Sequence, residues 1–313
     1  MSEYLLQADQ LSRAFNHHTV VDDISFQVRR GQVLGFLGPN GAGKSTTMNM
    51  LSGNLAPSRG QITIAGHDLL DQPREAKAAL GYLAENPPLY RELTVYEYLQ
   101  FCARLNQIPR AKVQVSIDMA MERCGLHDVG QRLIGNLSKG YQQRVGIAQA
   151  IIHLPPVVIL DEPTVGLDPI QIREIRSLIR ELGQDHAVIL STHILPEVQA
   201  TCDQVQIINQ GKLVFRDTIQ GLEHRLQHNS LYVAFHQPPA SSALQDLAGV
   251  ESCEALGDGQ FRIHYKEATS PAEQLVARSV AQNWRLFELR PEQASLEDVF
   301  MELTHQEVTE SEA

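Results

Sequence analysis

The stretch Gly38 to Thr46, GPNGAGKST, constrains this chain more than any other. It places Gly38, Gly43, Lys44 and Ser45 at the spacing Gly-x4-Gly-Lys-Ser/Thr, a loop whose backbone N–H groups cradle nucleotide phosphates. Such a loop opens a helix, and a helix N-terminus favours negative charge. Lys44 is then placed to reach the β- and γ-phosphates, and the Ser45 hydroxyl to ligate Mg2+. Upstream, Gln32 to Leu37 (QVLGFL) reads as a short buried strand, and Thr46 to Leu51 begins a helix. Glycines at 38, 41 and 43 allow a close approach that a side chain would hinder. A plain glycine-rich turn between strand and helix is the alternative, but it does not explain Lys-Ser-Thr at this offset.

With 313 residues, two domains are expected. The net charge of −11 is uneven: from Gly221 onward there are 15 acidic and 6 basic residues, so −9 lies there. That acidity argues against nonspecific nucleic-acid binding, which needs a basic footprint. No apolar run approaches the roughly 20 residues of a membrane span. The start, MSEYLLQADQ, has neither the basic nor the apolar region of a signal peptide. Cys102, Cys124, Cys202 and Cys253 are scattered without a Cys-x-x-Cys pair and read as ordinary thiols of a reducing cytosol.

Residues 1 to about 85 are expected to be strand-rich, with runs at Tyr4 to Leu11, Ile24 to Val28, Val33 to Leu37 and Gln61 to Ala65. From Pro87 to His153 the character is helical. Thr94-Val95-Tyr96-Glu97 has capping-box spacing before a helix ending ahead of Pro109, and Lys112 to Cys124 is a second helix stopped by Gly125. Strands return at Pro156 to Leu160, Ala187 to Leu190 and Gln204 to Ile208, separated by helices at Pro169 to Leu182 and Leu195 to Cys202. This is an α/β core carrying a helical insert. Beyond Gly221 the order strand, short helix, strand, strand, helix (Pro271 to Trp284), strand suits a small ferredoxin-like α+β domain. The boundaries expected are therefore 1–220 (insert about 87–153), 221–305, and an acidic tail, 306–313.

VVILDEP, Val157 to Pro163, is an apolar strand ending in two carboxylates. Asp161 is placed to hold Mg2+, and Glu162 to accept a proton from, or orient, the water that attacks a γ-phosphate. Solvated acids in a strand-end turn are the alternative. NLSKGYQQRV, Asn136 to Val145, then decides the class. Here the chain resembles the ATP-binding cassette family, whose signature runs Leu-Ser-Gly-Gly-Gln before a helix. In this chain it reads Leu137-Ser138-Lys139-Gly140-Tyr141, so Lys139 and Tyr141 depart from it while Ser138 and Gly140 are kept. Gly166-Leu167-Asp168 resembles the family's D-loop, and Ser191-Thr192-His193 its switch. GYLAE, Gly81 to Glu85, stands where the family carries a glutamine; here the residue is Glu85.

The resemblance covers residues 1 to about 220 and implies a role for each motif. ATP is bound by Gly38, Asn40, Gly41, Gly43, Lys44, Ser45 and Thr46, with Phe15 stacked on adenine, although Phe15 also reads as core filler. Ser138 and Gly140 of a second copy complete the site, in a head-to-tail homodimer. Mg2+ is held by Ser45, Asp161 and Glu85, and Glu162 and His193 are catalytic. The closing segment Ala294 to Thr304 and the LSKGY variant are similar to ABC-2-type exporter ATPases of gliding-motility, copper-processing and drug-resistance type. These imply a motor working with a separate multi-span permease on the cytoplasmic membrane face. The apolar and aromatic residues Leu89, Tyr90, Tyr96, Tyr98 and Phe101 suit either a coupling groove or the core of the insert. A soluble translation or repair ATPase, or a phosphate-loop kinase, are the competing readings; the latter explains the loop but not the signature or His193.

Overall fold

The computed structural model describes residues 4–226, 230–266 and 270–292, with side chains omitted at 223–226. Ala294 to Thr304 and the acidic tail lie outside the described residues. The contacts divide the chain into two compact units, Met1–Ile219 and Gln220–Ala313.

The first unit begins with a hairpin of two long strands, β1 (Tyr4–Phe15) and β2 (His18–Arg29). They extend past the expected runs because the pair continues to Phe15 opposite His18. Strand β3 (Gln32–Leu37) then leads through the glycine loop into α1 (Lys44–Leu51). Next come β4 (Arg59–Ile64), the two-residue β5 (His67–Asp68), α2 (Pro73–Ala78) and β6 (Leu80–Leu83). The helical part is α3 (Val95–Leu105), α4 (Arg110–Arg123), two 3-10 turns, and α5 (Lys139–Ile151). The capping box is present: Glu97 N–H donates to the Thr94 hydroxyl, and Thr94 N–H donates to the Glu97 carboxylate. Gly125 ends the second of these helices in the left-handed region, φ 62°. The unit continues with β7 (Val157–Asp161), α6 (Pro169–Asp185), β8 (Ala187–Thr192), α7 (Leu195–Thr201), β9 (Gln204–Asn209) and β10 (Lys212–Thr218).

Two sheets result. One is antiparallel, β2-β1-β4-β5; the other runs β10-β9-β3-β8-β7-β6, parallel except for the β10 hairpin. β7 and β8 are buried at every residue, as expected of parallel strands covered on both faces. One face packs on α1 and the antiparallel sheet through Phe26, Leu34, Phe36, Met48, Ile62 and Ile159. Helices α5, α6 and α7 lie against the other. At Gly81 a Cβ would come 2.1 Å from the Ala150 carbonyl oxygen, so glycine is what lets α5 sit on β6. This layering aims the C-terminal ends of β3, β6, β7 and β8 at one edge, where ligands of open α/β sheets bind.

Helix α8 (Ile219–Leu226) follows at the junction of the two units. The second unit contains β11 (Ser230–Phe235), α9 (Ser241–Gln245), β12 (Val250–Gly257), β13 (Gln260–Tyr265), α10 (Ala272–Ala281) and β14 (Leu286–Pro291). Its sheet, β12-β13-β11-β14, is antiparallel throughout, and the element order is that of a ferredoxin-like fold. The expected helix to Trp284 stops three residues short. Asn283 and Arg285 adopt left-handed backbone (φ 58° and 54°), which turns Trp284 into the core, edge-on to Phe235. Burial of the indole decides the helix end.

Candidate functional site

The glycine loop bends where its sequence requires. Gly41 and Gly43 have φ of 82° and 110°. A Cβ on Gly38 would stand 2.4 Å from the Ile208 carbonyl oxygen, so alanine there would push loop and β9 apart. Helix α1 has Gly43 as its N-cap, with no side chain bonded to its first N–H groups and no acidic residue in its first turn. Those donors are left without a side-chain acceptor, a favourable place for an anion.

Lys44 is buried to 5% exposure, and its ammonium donates to the carbonyl oxygens of Gly38 (2.8 Å) and Pro39 (3.2 Å). It also stands 3.5 Å from Glu162 Oε1. Glu162 follows β7 with φ 48°, a region that costs a non-glycine residue energy and that clusters at functional sites. Its N–H donates to the Ser191 carbonyl (2.9 Å), which ties the strand end to the switch segment. His193 Nδ1 lies 3.0 Å from Glu162 Oε2 and 3.1 Å from Oε1, with the ring partly exposed. Lysine, glutamate and histidine thus form one chain of contacts brought together from three segments.

A cleft of about 330 Å3 lies over them, lined by Val20, Asn40, Gly41, Gly43, Lys44, Ser45, Thr46, Glu85, Glu162, Val165 and His193. Every expected residue of the loop except Gly38 lines it, together with both expected catalytic residues and Glu85. Gly38 contributes through its carbonyl, which accepts from the Lys44 ammonium. Asp161 sits beneath and is 2% exposed, with Oδ1 buried and without a hydrogen-bond partner. Burial pushes its carboxyl up to about 6; the Glu162 and Glu85 charges act the same way, while the Ser191 hydroxyl and Lys44 oppose them. Among the described residues no three His, Cys, Asp or Glu side chains gather as a metal site. A hard cation therefore fits beside the orphaned Asp161 oxygen only with oxygens from elsewhere, such as Ser45, phosphate and water.

This strain on Asp161 is measurable. Its folded carboxyl binds a proton more tightly than the unfolded one, so the buried charge costs stability above pH 6, and that cost fades as pH falls toward 4. Asp161→Asn is expected to stabilise the magnesium- and nucleotide-free protein at pH 7.5 by on the order of 2 kcal/mol. Thermal unfolding of both proteins should show that gain shrinking at pH 4.5. A gain that stays constant with pH would show that the carboxylate's charge is not its origin.

The remaining expected residues stand apart from this cleft. Ser138 caps α5, accepting from Tyr141 N–H at 3.4 Å, and Gly140 is buried where a Cβ would meet the Gln171 side chain at 2.6 Å. Neither lines the cleft of its own chain. The Lys139 ammonium packs over Gly166 in the D-loop segment, and Tyr141 is exposed near Arg144. Asp168 caps α6, accepting from Ile170 and Gln171 N–H. Phe15 is 43% exposed at the hairpin end and carries the Arg13 guanidinium 4.5 Å above its ring, so it is no core filler and does not line the cleft. A second cleft of about 370 Å3, lined by Glu85, Asn86, Pro87, Leu89, Arg91, Lys139, Gln142 and Gln143, opens toward the helical part. Nearby, Tyr90 lies edge-on to both Tyr98 and Phe101; Tyr98 is core, while Tyr90 and Phe101 are exposed. Val20 and Val165 were not legible as lining residues, since an apolar side chain at a loop or strand carries no chemical mark. The four cysteines are unpaired, and burial raises Cys102 to about 11 and Cys124 to about 12, so they are poor nucleophiles.

Comparison with known proteins agrees with this geometry. The family model described as ABC transporter matches residues 21–165. An uncharacterized ABC transporter ATP-binding protein of Bacillus subtilis, YhcH, is 34% identical over 96% of this chain and 96% of its own length. The bacitracin transport ATP-binding protein BcrA of Bacillus licheniformis is 35% identical over 83% of this chain and 85% of its own. A solved structure described as the ATP binding subunit of an ABC transporter superposes with a TM-score of 0.64 at 32% identity, covering 71% of this chain and 92% of that one. With the phosphate loop, the Asp161-Glu162 strand end, the switch histidine and end-to-end likeness in hand, the chain belongs to the ABC transporter ATP-binding proteins, the ATPases that power transport.

Proposed function

We propose that this chain is the motor subunit of an ABC-2-type export complex, binding and hydrolysing ATP as a head-to-tail homodimer coupled to a separate multi-span permease. The observation that carries the reading is the Lys44–Glu162–His193 chain at the mouth of the glycine loop. The ATP triphosphate lies along Gly38 to Thr46 with Lys44 on its β- and γ-phosphates. Glu162 orients the attacking water and receives its proton, and His193 contacts the γ-phosphate while holding Glu162. Ser45, Asp161 and Glu85 would hold Mg2+, which would supply charge neutralisation on the phosphates. The fit rests on the orphaned, buried Asp161 oxygen.

One chain leaves the outer side of this cleft open, and its own Ser138 and Gly140 do not reach it. A second copy presenting that α5 N-terminus would complete the cage. Two-fold symmetry makes two equivalent sites. Phe15, exposed beside Arg13, carries the adenine. The domains are 1–220 for nucleotide, with the insert at about 87–153 meeting the permease, and 221–305 as an accessory α+β domain, followed by the tail at 306–313. Among the described residues no helix is long and apolar enough to cross a membrane. In this reading the chain attaches to the cytoplasmic membrane face through the permease. The names of relatives such as BcrA, a bacitracin transport protein, and a linearmycin resistance protein of Bacillus subtilis, 32% identical over 96% of this chain, support export.

The test is affinity purification from membranes. The chain should sediment with membranes and bring down one multi-span protein, and should become soluble when that partner is deleted. A chain that stays on ribosomes or DNA instead would favour the soluble translation or repair reading.

A further inference from the structure

Glu162 lies just after β7 and His193 just after β8, so their 3.0 Å contact depends on two separate loops keeping their spacing. A third carboxylate stands behind both. Glu197, in the first turn of α7, is 1% exposed. Its Oε1 accepts a short hydrogen bond from the Thr164 hydroxyl, and its Oε2 accepts from the Thr192 hydroxyl at 2.9 Å. Thr164 is two residues past Glu162, and Thr192 immediately precedes His193. Both threonines are buried, at 3% and 0% exposure. The Thr192 hydroxyl also accepts from Ile194 N–H at 3.2 Å, which fixes the backbone on the far side of His193.

Burying a carboxylate is costly, and neutral hydroxyls repay less of that cost than a cation would. An apolar side chain would fill the position more cheaply, but it could not hold two loops at once. We infer that Glu197 is a positioning residue for ATP hydrolysis, its buried carboxylate tying Thr164 to Thr192 and so setting the distance between Glu162 and His193. The inference rests on the roles proposed above for those two residues. Glu197 itself does not line the cleft.

The test uses isosteric replacements that remove one donor and keep the shape, Thr164→Val and Thr192→Val, in the full-length protein. A misplacement of about 1 Å at a reacting group costs about a hundredfold in rate. Each variant should therefore lose about 10- to 100-fold in kcat, with KM for ATP within about twofold of wild type. Thr164→Ser, which restores the hydroxyl, should recover most of the rate lost in Thr164→Val. In a His193→Ala background Thr164→Val should cost little more, because the group being positioned is already gone. The inference is overturned if both valine variants keep kcat within about twofold, if their loss appears in KM, or if the full loss recurs without His193. Glu162→Gln measured alongside separates the two layers. Turnover surviving in Glu162→Gln sinks the reading of the site itself; turnover lost there but kept in both valine variants sinks only the clamp.

Discussion

Glu162→Gln is expected to stop ATP turnover while leaving ATP bound, and to accumulate a nucleotide-loaded dimer. Glutamine has the same shape and can still meet His193 Nδ1 and the Ser191 carbonyl through its backbone, so the loop should keep its form. What it loses is the ability to take a proton from water. General-base removal costs about 10^2- to 10^4-fold in rate. The side chain is 6% exposed and lies within 3.5 Å of Lys44, so bulk water cannot replace it easily. Removing its charge also takes one negative group away from where a γ-phosphate would lie, which favours the bound state. Phosphate release and size-exclusion chromatography with ATP should show a rate near background and a species of twice the mass. ATPase activity near that of the unaltered protein would falsify the role of Glu162. A silent variant that stays monomeric with ATP would count against completion of the site by a second copy.

How much of this site could be read from sequence depends on what each residue does. The placement of the loop and of Glu162 was legible because each rests on a local pattern, glycines that adopt φ values near 82° and 110° and a carboxylate at a strand end, whereas His193 was reached only through the resemblance of Ser191-Thr192-His193 to the family's switch. Elements were legible where a local signal exists, as in the Thr94–Glu97 capping box. Ends failed where tertiary burial overrode a local pattern, as at Trp284, whose indole belongs to the core and not to the helix expected to include it. The short β5 and the return strand β10 escaped because they are defined by their partners. Glu197 escaped for a related reason. In sequence it is one acid in a helix, and only the fold brings Thr164 and Thr192 onto its two oxygens. Gly140 shows the converse. Its glycine is explained within the chain by the Gln171 side chain, so its presence in the signature is not by itself a sign of phosphate contact.

Lys44→Ala is expected to weaken ATP binding by at least about a hundredfold, which is about 2.8 kcal/mol. Two effects act in the same direction. The first is loss of the lysine ammonium of the Lys44–Glu162–His193 chain, and charge-assisted bonds to phosphate are the strong kind. The second is internal. Without the ammonium, the buried Glu162 charge keeps only His193 beside it and stands next to Asp161, whose carboxyl burial already pushes up to about 6. The cleft then presents carboxylates to a polyanion, so the variant is worse than a neutral hole. The Gly38 and Pro39 carbonyls also lose their shared donor, which loosens the turn that aims the loop. Calorimetric titration should show the loss, and thermal unfolding at pH 7.5 should show a smaller drop in stability than in affinity. If ATP binding were unchanged, phosphate recognition would have to lie outside Gly38 to Thr46, and the whole reading of the cleft would fall with it. Adding Glu162→Gln to Lys44→Ala separates the two effects. The double variant should regain part of the affinity, because removing the second charge relieves the repulsion without restoring the lysine.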